Sequence, residues 1–94
     1  MVVGAGLVIG RSPAPDDRCP HAALFPIADL SLSKTHLTVA PTPSGIWLVD
    51  HHSTNGTVVR SAGTVLPCPG GTQVEVPIGA VITAGDVEFR VATR

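Results

Sequence analysis

Apolar runs of about 4–6 residues, each broken by Gly or Pro, recur along this chain, and that is the usual length of a strand. The first clear run covers residues 6–9, and residues 24–27 form the next. Pro26 cannot donate a ladder hydrogen bond, which predicts an edge or irregular strand there. Residues 37–40 alternate weakly, and the Pro- and Gly-containing stretch at 41–45 turns the chain into a run at 46–50. Beyond a polar stretch, strands are predicted over 57–60, 72–76, 80–83 and 87–92, with Pro77 and Gly85-Asp86 marking turns between the later ones. No window sustains a 3.6-residue apolar period and β-branched residues are frequent, so no substantial helix is expected. Short strands parted by many turns predict an all-β sandwich or small barrel, with no internal repeat.

Composition narrows this picture. The 94 residues predict a single domain over 1–94, with one modest core. A hydrophobic share of 44% is that of a globular chain and argues against disorder. Phe25, Trp47 and Phe89 are the only aromatic residues, so Val, Leu, Ile and Ala must fill most of the core. A net charge of −1 supplies no general attraction to nucleic acid or to an anionic membrane surface. No apolar run is long enough for a membrane-spanning helix, and no basic stretch leads into a signal-like apolar segment. Cys19 and Cys68 sit in unlike contexts and could pair only if folding joined them; a reducing cytoplasm is the expected location. The Gly, Pro, Ala and Val bias suits a bacterial source.

Three stretches carry candidate chemistry. Ser53-Thr54-Asn55-Gly56 follows an apolar run and precedes Thr57-Val58-Val59, which reads by itself as a tight turn with Asn-Gly supplying positive φ and a return strand after it. Gly10-Arg11 ends the first strand and opens a long polar loop, and Ser31 to His36 leads into the strand at 37–40. In a sandwich, loops at one end are the natural place for a binding site. Together these three offer a guanidinium, a lysine, hydroxyls, an Asn amide and turn N–H groups, which is an inventory suited to a phosphate ester. A phosphate monoester carries nearly two negative charges at neutral pH, which Arg11 and Lys34 would nearly balance. A hydrolase built on Ser33, His36 and Asp50 is disfavoured, because the chain has no Gly-x-Ser-x-Gly elbow and Ser33 and His36 have no nucleophile–base geometry. His51 and His52 raise a metal site, but successive strand residues point to opposite faces, so no metal and no cofactor are expected. One of this pair is instead expected at the rim of the pocket, where its charge would respond to pH near 6.

Gly10-Arg11, Ser33-x-x-His36 and Ser53-Thr54-Asn55-Gly56-Thr57, in that order, resemble the signature of the forkhead-associated (FHA) domain family. The closing segment from Gly79 to Val91 is similar to that family's last hairpin, so the resemblance covers most of the chain. It implies a β-sandwich of two twisted, mostly antiparallel sheets that binds phosphothreonine peptides through loops at one end. Carried over by position, Arg11 would contact the phosphate or the peptide backbone, and Ser33 would give its hydroxyl to a phosphate oxygen. Lys34 would add charge, Thr54 would line the pocket and Asn55 would hold the peptide main chain. Gly10, His36 and Gly56 would support the site without touching ligand.

The implied function is a non-catalytic phosphothreonine-dependent module in Ser/Thr kinase signalling, with the kinase an indirect partner. A phospho-independent interaction or self-association module on the same fold is the alternative, and tolerance of the loss of Arg11 would distinguish it. The His51-His52 pair departs from the family pattern, as does the Pro-containing loop from Ser12 onward. The family also places a strand ahead of the one ending in Gly-Arg. Residues 1–3 would be its stub, and its absence would leave a sheet edge open to homodimer formation.

Overall fold

The computed structural model describes residues 5–92, and among these it contains nine strands and no helix. They are β1 (Leu7–Gly10), β2 (Ala23–Pro26), β3 (Leu37–Thr42), β4 (Gly45–Asp50), β5 (Thr57–Ser61), β6 (Thr64–Pro67), β7 (Gln73–Pro77), β8 (Val81–Ala84) and β9 (Val87–Arg90). One sheet has the order β2-β1-β3-β4-β7 and the other β6-β5-β8-β9. All pairings are antiparallel except β1 with β2. The all-β sandwich expected from the sequence is the fold observed. Pro26 lies on the outermost strand, where its missing N–H costs no ladder bond.

Alternation decides which side chains meet between the sheets. Leu7, Ile9, Leu37, Val39, Ile46, Leu48 and Val76 from the larger sheet pack against Val59, Ile82 and Ala84 from the smaller. Phe25 and Phe89 border this cluster, and aliphatic side chains form its bulk. The alternate positions of the larger sheet, Val8, Thr38 and Val49, are also 0% exposed although they face away from the sandwich interior. The connection between β1 and β2 lies over this outer face, because a parallel pair forces the chain to travel back along the sheet before β2 begins. It is fastened there by Thr38, whose hydroxyl donates to Asp16 Oδ2 at 2.7 Å and lies 2.7 Å from His51 Nε2. Burial alone would raise the Asp16 carboxyl, but the bond from Thr38, aided by Arg18 and His51, holds it below the usual carboxylate value.

Two sequence expectations need correction. The stretch after β4 is not a hairpin: β4 and β5 lie in different sheets, and the chain crosses from one to the other. Positive φ occurs there at His52 (52°) and Gly56 (81°) and not at Asn55, so the Asn-Gly pair does not form the expected two-residue turn. Strand β6 is absent from the sequence reading. It forms a hairpin with β5 through Ala62 and Gly63, both at positive φ, where alanine gives no turn signal. Residues 1–3, read as the stub of an earlier strand, lie outside the described residues; among those residues the sheet edges are β2, β7, β6 and β9.

Register places the loops. The ends of β1, β4, β6 and β8 and the starts of β3, β5, β7 and β9 all lie at one end of the sandwich, since Ile9 pairs with Leu37, Leu37 with Asp50, Thr57 with Ala84 and Val58 with Pro67. The segments opening at Arg11, Ile27, His51, Cys68 and Gly85 therefore share that end. The start of β1 and the end of β9 lie at the other.

The two thiols are free and differently placed. Cys68 is in the core, where burial and, secondarily, the Asp50 charge push its thiol up to about 11, whereas Cys19 lies in the β1–β2 connection with Sγ 3.3 Å from the Ala5 carbonyl. At pH 8, an aromatic disulfide reagent should label Cys19 in the folded protein, and Cys68 only after denaturant is added. Equal labelling rates for both would contradict this placement.

Candidate functional site

Three loops meet at the end just described, and one buried histidine joins two of them. His36 is 0% exposed. Its Nδ1 accepts the Ser33 N–H at 3.1 Å, which leaves the ring proton on Nε2 to donate to the Gly56 carbonyl at 2.9 Å. The loop before β3 is thereby tied to the loop before β5, although one belongs to each sheet. The Gly56 carbonyl also accepts the Gly85 N–H at 3.1 Å, which adds the β8–β9 turn to the same junction.

Asp50, at the end of β4, organises the next loop from below. It is 3% exposed and accepts the Ser53 N–H at 2.9 Å, the Ser53 hydroxyl at 2.5 Å and the Thr57 hydroxyl at 2.7 Å. Ser53 Oγ in turn accepts the Gly56 N–H at 3.1 Å. Burial taken alone would raise the Asp50 carboxyl. The bonds from Ser53 and Thr57, with His36 Nε2 at 3.8 Å, outweigh it and hold the group ionised below the usual value. Residues 53–56 are thus held by side chains rather than by a strand ladder.

The predicted contact residues sit on this frame. Arg11 is exposed; its backbone N–H donates to the Ser33 carbonyl at 3.0 Å and its Nε to the Leu32 carbonyl at 3.2 Å, which leaves both Nη groups for an external acceptor. Ser33 Oγ accepts the Thr54 N–H at 3.0 Å, so its own proton is available to an anion. Lys34 and Thr54 are exposed beside it. Asn55 donates from Nδ2 to the Ser31 carbonyl at 2.9 Å, and its Oδ1 faces no protein donor among the described residues. Gly10 is required by space: a Cβ there would lie 2.0 Å from the Lys34 carbonyl oxygen. Gly56 is required by conformation, since its φ is 81° and nothing lies within 4 Å of a built Cβ.

His51 and His52 diverge. His51 turns to the outer face with Thr38 and Asp16, while His52 lies against Gly70 and Gly71. A shallow cleft of about 410 Å³ is lined by Ala14, Pro15, Asp16, Asp17, Thr35 and His51. Among the described residues, no group of three or more His, Cys, Asp or Glu side chains is arranged to hold a metal ion.

The sequence reading missed the second rank of this site. Asp50-x-x-Ser53 and Asp29-x-Ser31 are both spacings at which a carboxylate caps a turn, and that signal was present to be read. The contribution of Gly85-Asp86 was not legible, because only the folded chain brings Asp86 N–H to 2.8 Å from Ser31 Oγ.

Asp50→Asn tests the frame. The lowered carboxyl contributes stability that is fully present above the unfolded carboxylate value of about 3.9 and is lost as pH falls through the lower folded value. At pH 7 the substitution should destabilise by about 2–4 kcal/mol through the loss of charge-assisted bonds. In denaturant titrations the gap between variant and wild type should narrow progressively below about pH 4. A gap that does not change with pH would show that the Asp50 charge is not the cause.

Relatives of known structure share this architecture. The FHA domain family model matches residues 7–85. The FhaA FHA domain, solved in complex with the intracellular domain of Rv3910, superposes with a TM-score of 0.64 at 26% identity, over 97% of this chain and 84% of that one. An FHA domain solved in work on phosphothreonine-dependent FHA domain interactions gives 0.63 at 26% identity, over 100% of this chain and 81% of that one. The FHA domain of CT664 from Chlamydia trachomatis gives 0.68 at 18% identity, over 100% and 81%, and supports the fold alone. No curated protein matches the sequence. With a family model spanning most of its length and FHA domains as structural neighbours, the chain belongs to the FHA domain family.

Proposed function

We propose that this domain binds phosphothreonine-containing proteins or peptides in Ser/Thr kinase signalling, through Arg11, Ser33, Lys34, Thr54 and Asn55. The observation that carries the reading is that neighbouring loops keep donors unspent: Arg11 is bonded through its backbone N–H to the Ser33 carbonyl and through Nε to the Leu32 carbonyl, which leaves its Nη groups over, and the Ser33 hydroxyl, whose oxygen accepts the Thr54 N–H, keeps its proton. A phosphate placed there would receive two guanidinium N–H groups and the Ser33 proton, with the Lys34 ammonium adding charge. Asn55, with Nδ2 on Ser31 and Oδ1 open, would accept from the peptide main chain and fix its direction. The related FHA domain described by phosphothreonine-dependent interactions supports the same ligand class.

The energetics rank the residues. A hydrogen bond to a charged group contributes about 1.5–3 kcal/mol, so the bidentate Arg11 should dominate and the solvated Lys34 should matter less. Preference for phosphothreonine over phosphoserine rests on one methyl, about 0.8 kcal/mol by burial. No bond is made or broken in this scheme: it is capture by charge and hydrogen bonding, and a Ser/Thr kinase would supply the mark. Two free thiols suit a reducing cytoplasm as its place of action.

Fluorescence anisotropy with a labelled phosphothreonine peptide library tests the reading, with phosphoserine and unphosphorylated libraries as controls. Binding should require the phosphate, fall at least about a hundredfold in Arg11→Ala, and weaken only several-fold in Lys34→Ala. Equal binding of all three libraries by folded protein, or binding indifferent to Arg11, would leave the phospho-independent module as the better account. Gly10→Ala should lower affinity without touching ligand, because its methyl must displace the Lys34 carbonyl.

A further inference from the structure

Of the strands that border the two sheets, β2, β6 and β7 each end on a proline: Pro26, Pro67 and Pro77. Proline has no N–H to offer a further strand, and on an edge it guards against pairing with another chain. The remaining border strand, β9, reads Val-Glu-Phe-Arg and carries no such guard. Its ladder shows which backbone groups are free. The Val91 N–H donates to the Ala80 carbonyl at 2.9 Å, and Val87 closes the hairpin opposite Ala84. Hydrogen-bonded positions alternate along an antiparallel strand, so Val87, Phe89 and Val91 turn their N–H and C=O towards β8. Glu88 and Arg90 turn theirs outward, and nothing among the described residues bonds them. The side chains alternate as well. Val87 and Phe89 point into the core and are only half-buried there, while Glu88 and Arg90 stand exposed on the outer face. Glu88 Oε1 accepts from Arg60 Nη2 at 2.7 Å, and Arg90 has no carboxylate partner among the described residues.

We propose that this edge is a self-association site, at which β9 of a second copy of the chain adds antiparallel to β9 of the first. Charge complementarity selects the second copy as the occupant. Ladder bonds form only where outward-turned residues stand opposite one another. Centring the pair on Glu88 or on Arg90 sets that residue against its own equivalent, like charge to like charge, which disfavours both registers. The first of these would also draw on the Asp86 N–H, which is spent on Ser31 Oγ. Centring it on Phe89 sets Glu88 of each copy opposite Arg90 of the other. The free N–H and C=O groups of both residues are then all bonded, and both cross-strand pairs join opposite charges. Phe89 meets Phe89 of the second copy across a narrow pair on the inner face, with Cα atoms about 4.5 Å apart, so two half-buried rings cover each other. Glu88 comes to lie between Arg60 of its own copy and Arg90 of the other. Because β9 starts at the loop end, antiparallel pairing points the two loop ends in opposite directions, and neither copy covers the loops of the other. The association needs no phosphate, so it does not rest on the phosphothreonine reading.

Sedimentation equilibrium over a range of protein concentrations, with no peptide present, is the test. A ladder on a four-residue strand is a small interface, so the wild type should pass from monomer to dimer with a Kd of about 10–100 µM. Glu88→Arg and Arg90→Glu each put like charges into both cross-strand pairs, and each variant alone should stay monomeric over that range. Mixed in equal amounts, the two should dimerise again, because the two positive residues of one variant then face the two negative residues of the other. Both positions are exposed, and circular dichroism checks that each variant keeps the fold. A wild type that stays monomeric up to about 1 mM would overturn the inference and give the edge to another occupant. So would a dimer that survives either substitution, or one that mixing the variants does not restore. None of these outcomes bears on the phosphothreonine reading, which the peptide titrations test separately.

Discussion

An imidazole sealed between two sheets, with a partner at each ring nitrogen, is the constraint on which the loop end of this domain depends. Because His36 must accept at one ring nitrogen and donate at the other, it can satisfy Ser33 N–H and Gly56 carbonyl only when both loops stand at fixed separation. Neither loop has a strand partner of its own to hold it. A buried polar side chain with both nitrogens occupied therefore does for the loops what the ladder does for the strands, and its loss would leave the Ser33 N–H without a partner and the Gly56 carbonyl with the Gly85 N–H alone. Asp50 reinforces the arrangement by turning residues 53–57 into a side-chain-capped unit.

The second support comes from outside the sandwich. The centre of the larger sheet is buried on both faces, inward by the smaller sheet and outward at Val8, Thr38 and Val49 beneath the β1–β2 connection, where Thr38, Asp16 and His51 close a small polar cluster. Arg11 begins that connection and its backbone is bonded to the Ser33 carbonyl, while Ser12 N–H bonds the Lys34 carbonyl. The guanidinium that the proposed capture relies on is thus rooted in a segment held at both its start and its middle. Packing on the outer face and geometry at the loop end are coupled through this one stretch of chain.

Much of this was legible in the residues. Eight of the strand-like runs correspond to observed strands, because short β-branched runs between Gly and Pro have few other ways to bury themselves. What failed did so for identifiable reasons. Strand β6 shows no burial alternation and follows an alanine forced into positive φ, so neither pattern nor turn chemistry announced it. The 53–57 stretch has hairpin composition, yet Asp50 competes for its N–H and hydroxyl groups and the chain leaves the sheet. The outer polar cluster depends on a twelve-residue excursion from 11 to 22 whose path no local rule specifies. Arg11, Ser33 and Asn55 were visible as residue types; the way each has one polar atom spent on the frame and another left over was not.

The start of β1 and the end of β9 lie together at the end of the sandwich opposite the loops. The polypeptide is thus threaded so that the start of its first strand and the end of its last face backwards from the loops proposed to bind. Chain attached at either side would leave without crossing the loops, and tethering the domain to another body would not obstruct them. The outward orientation of the loop end is built into the order of the strands.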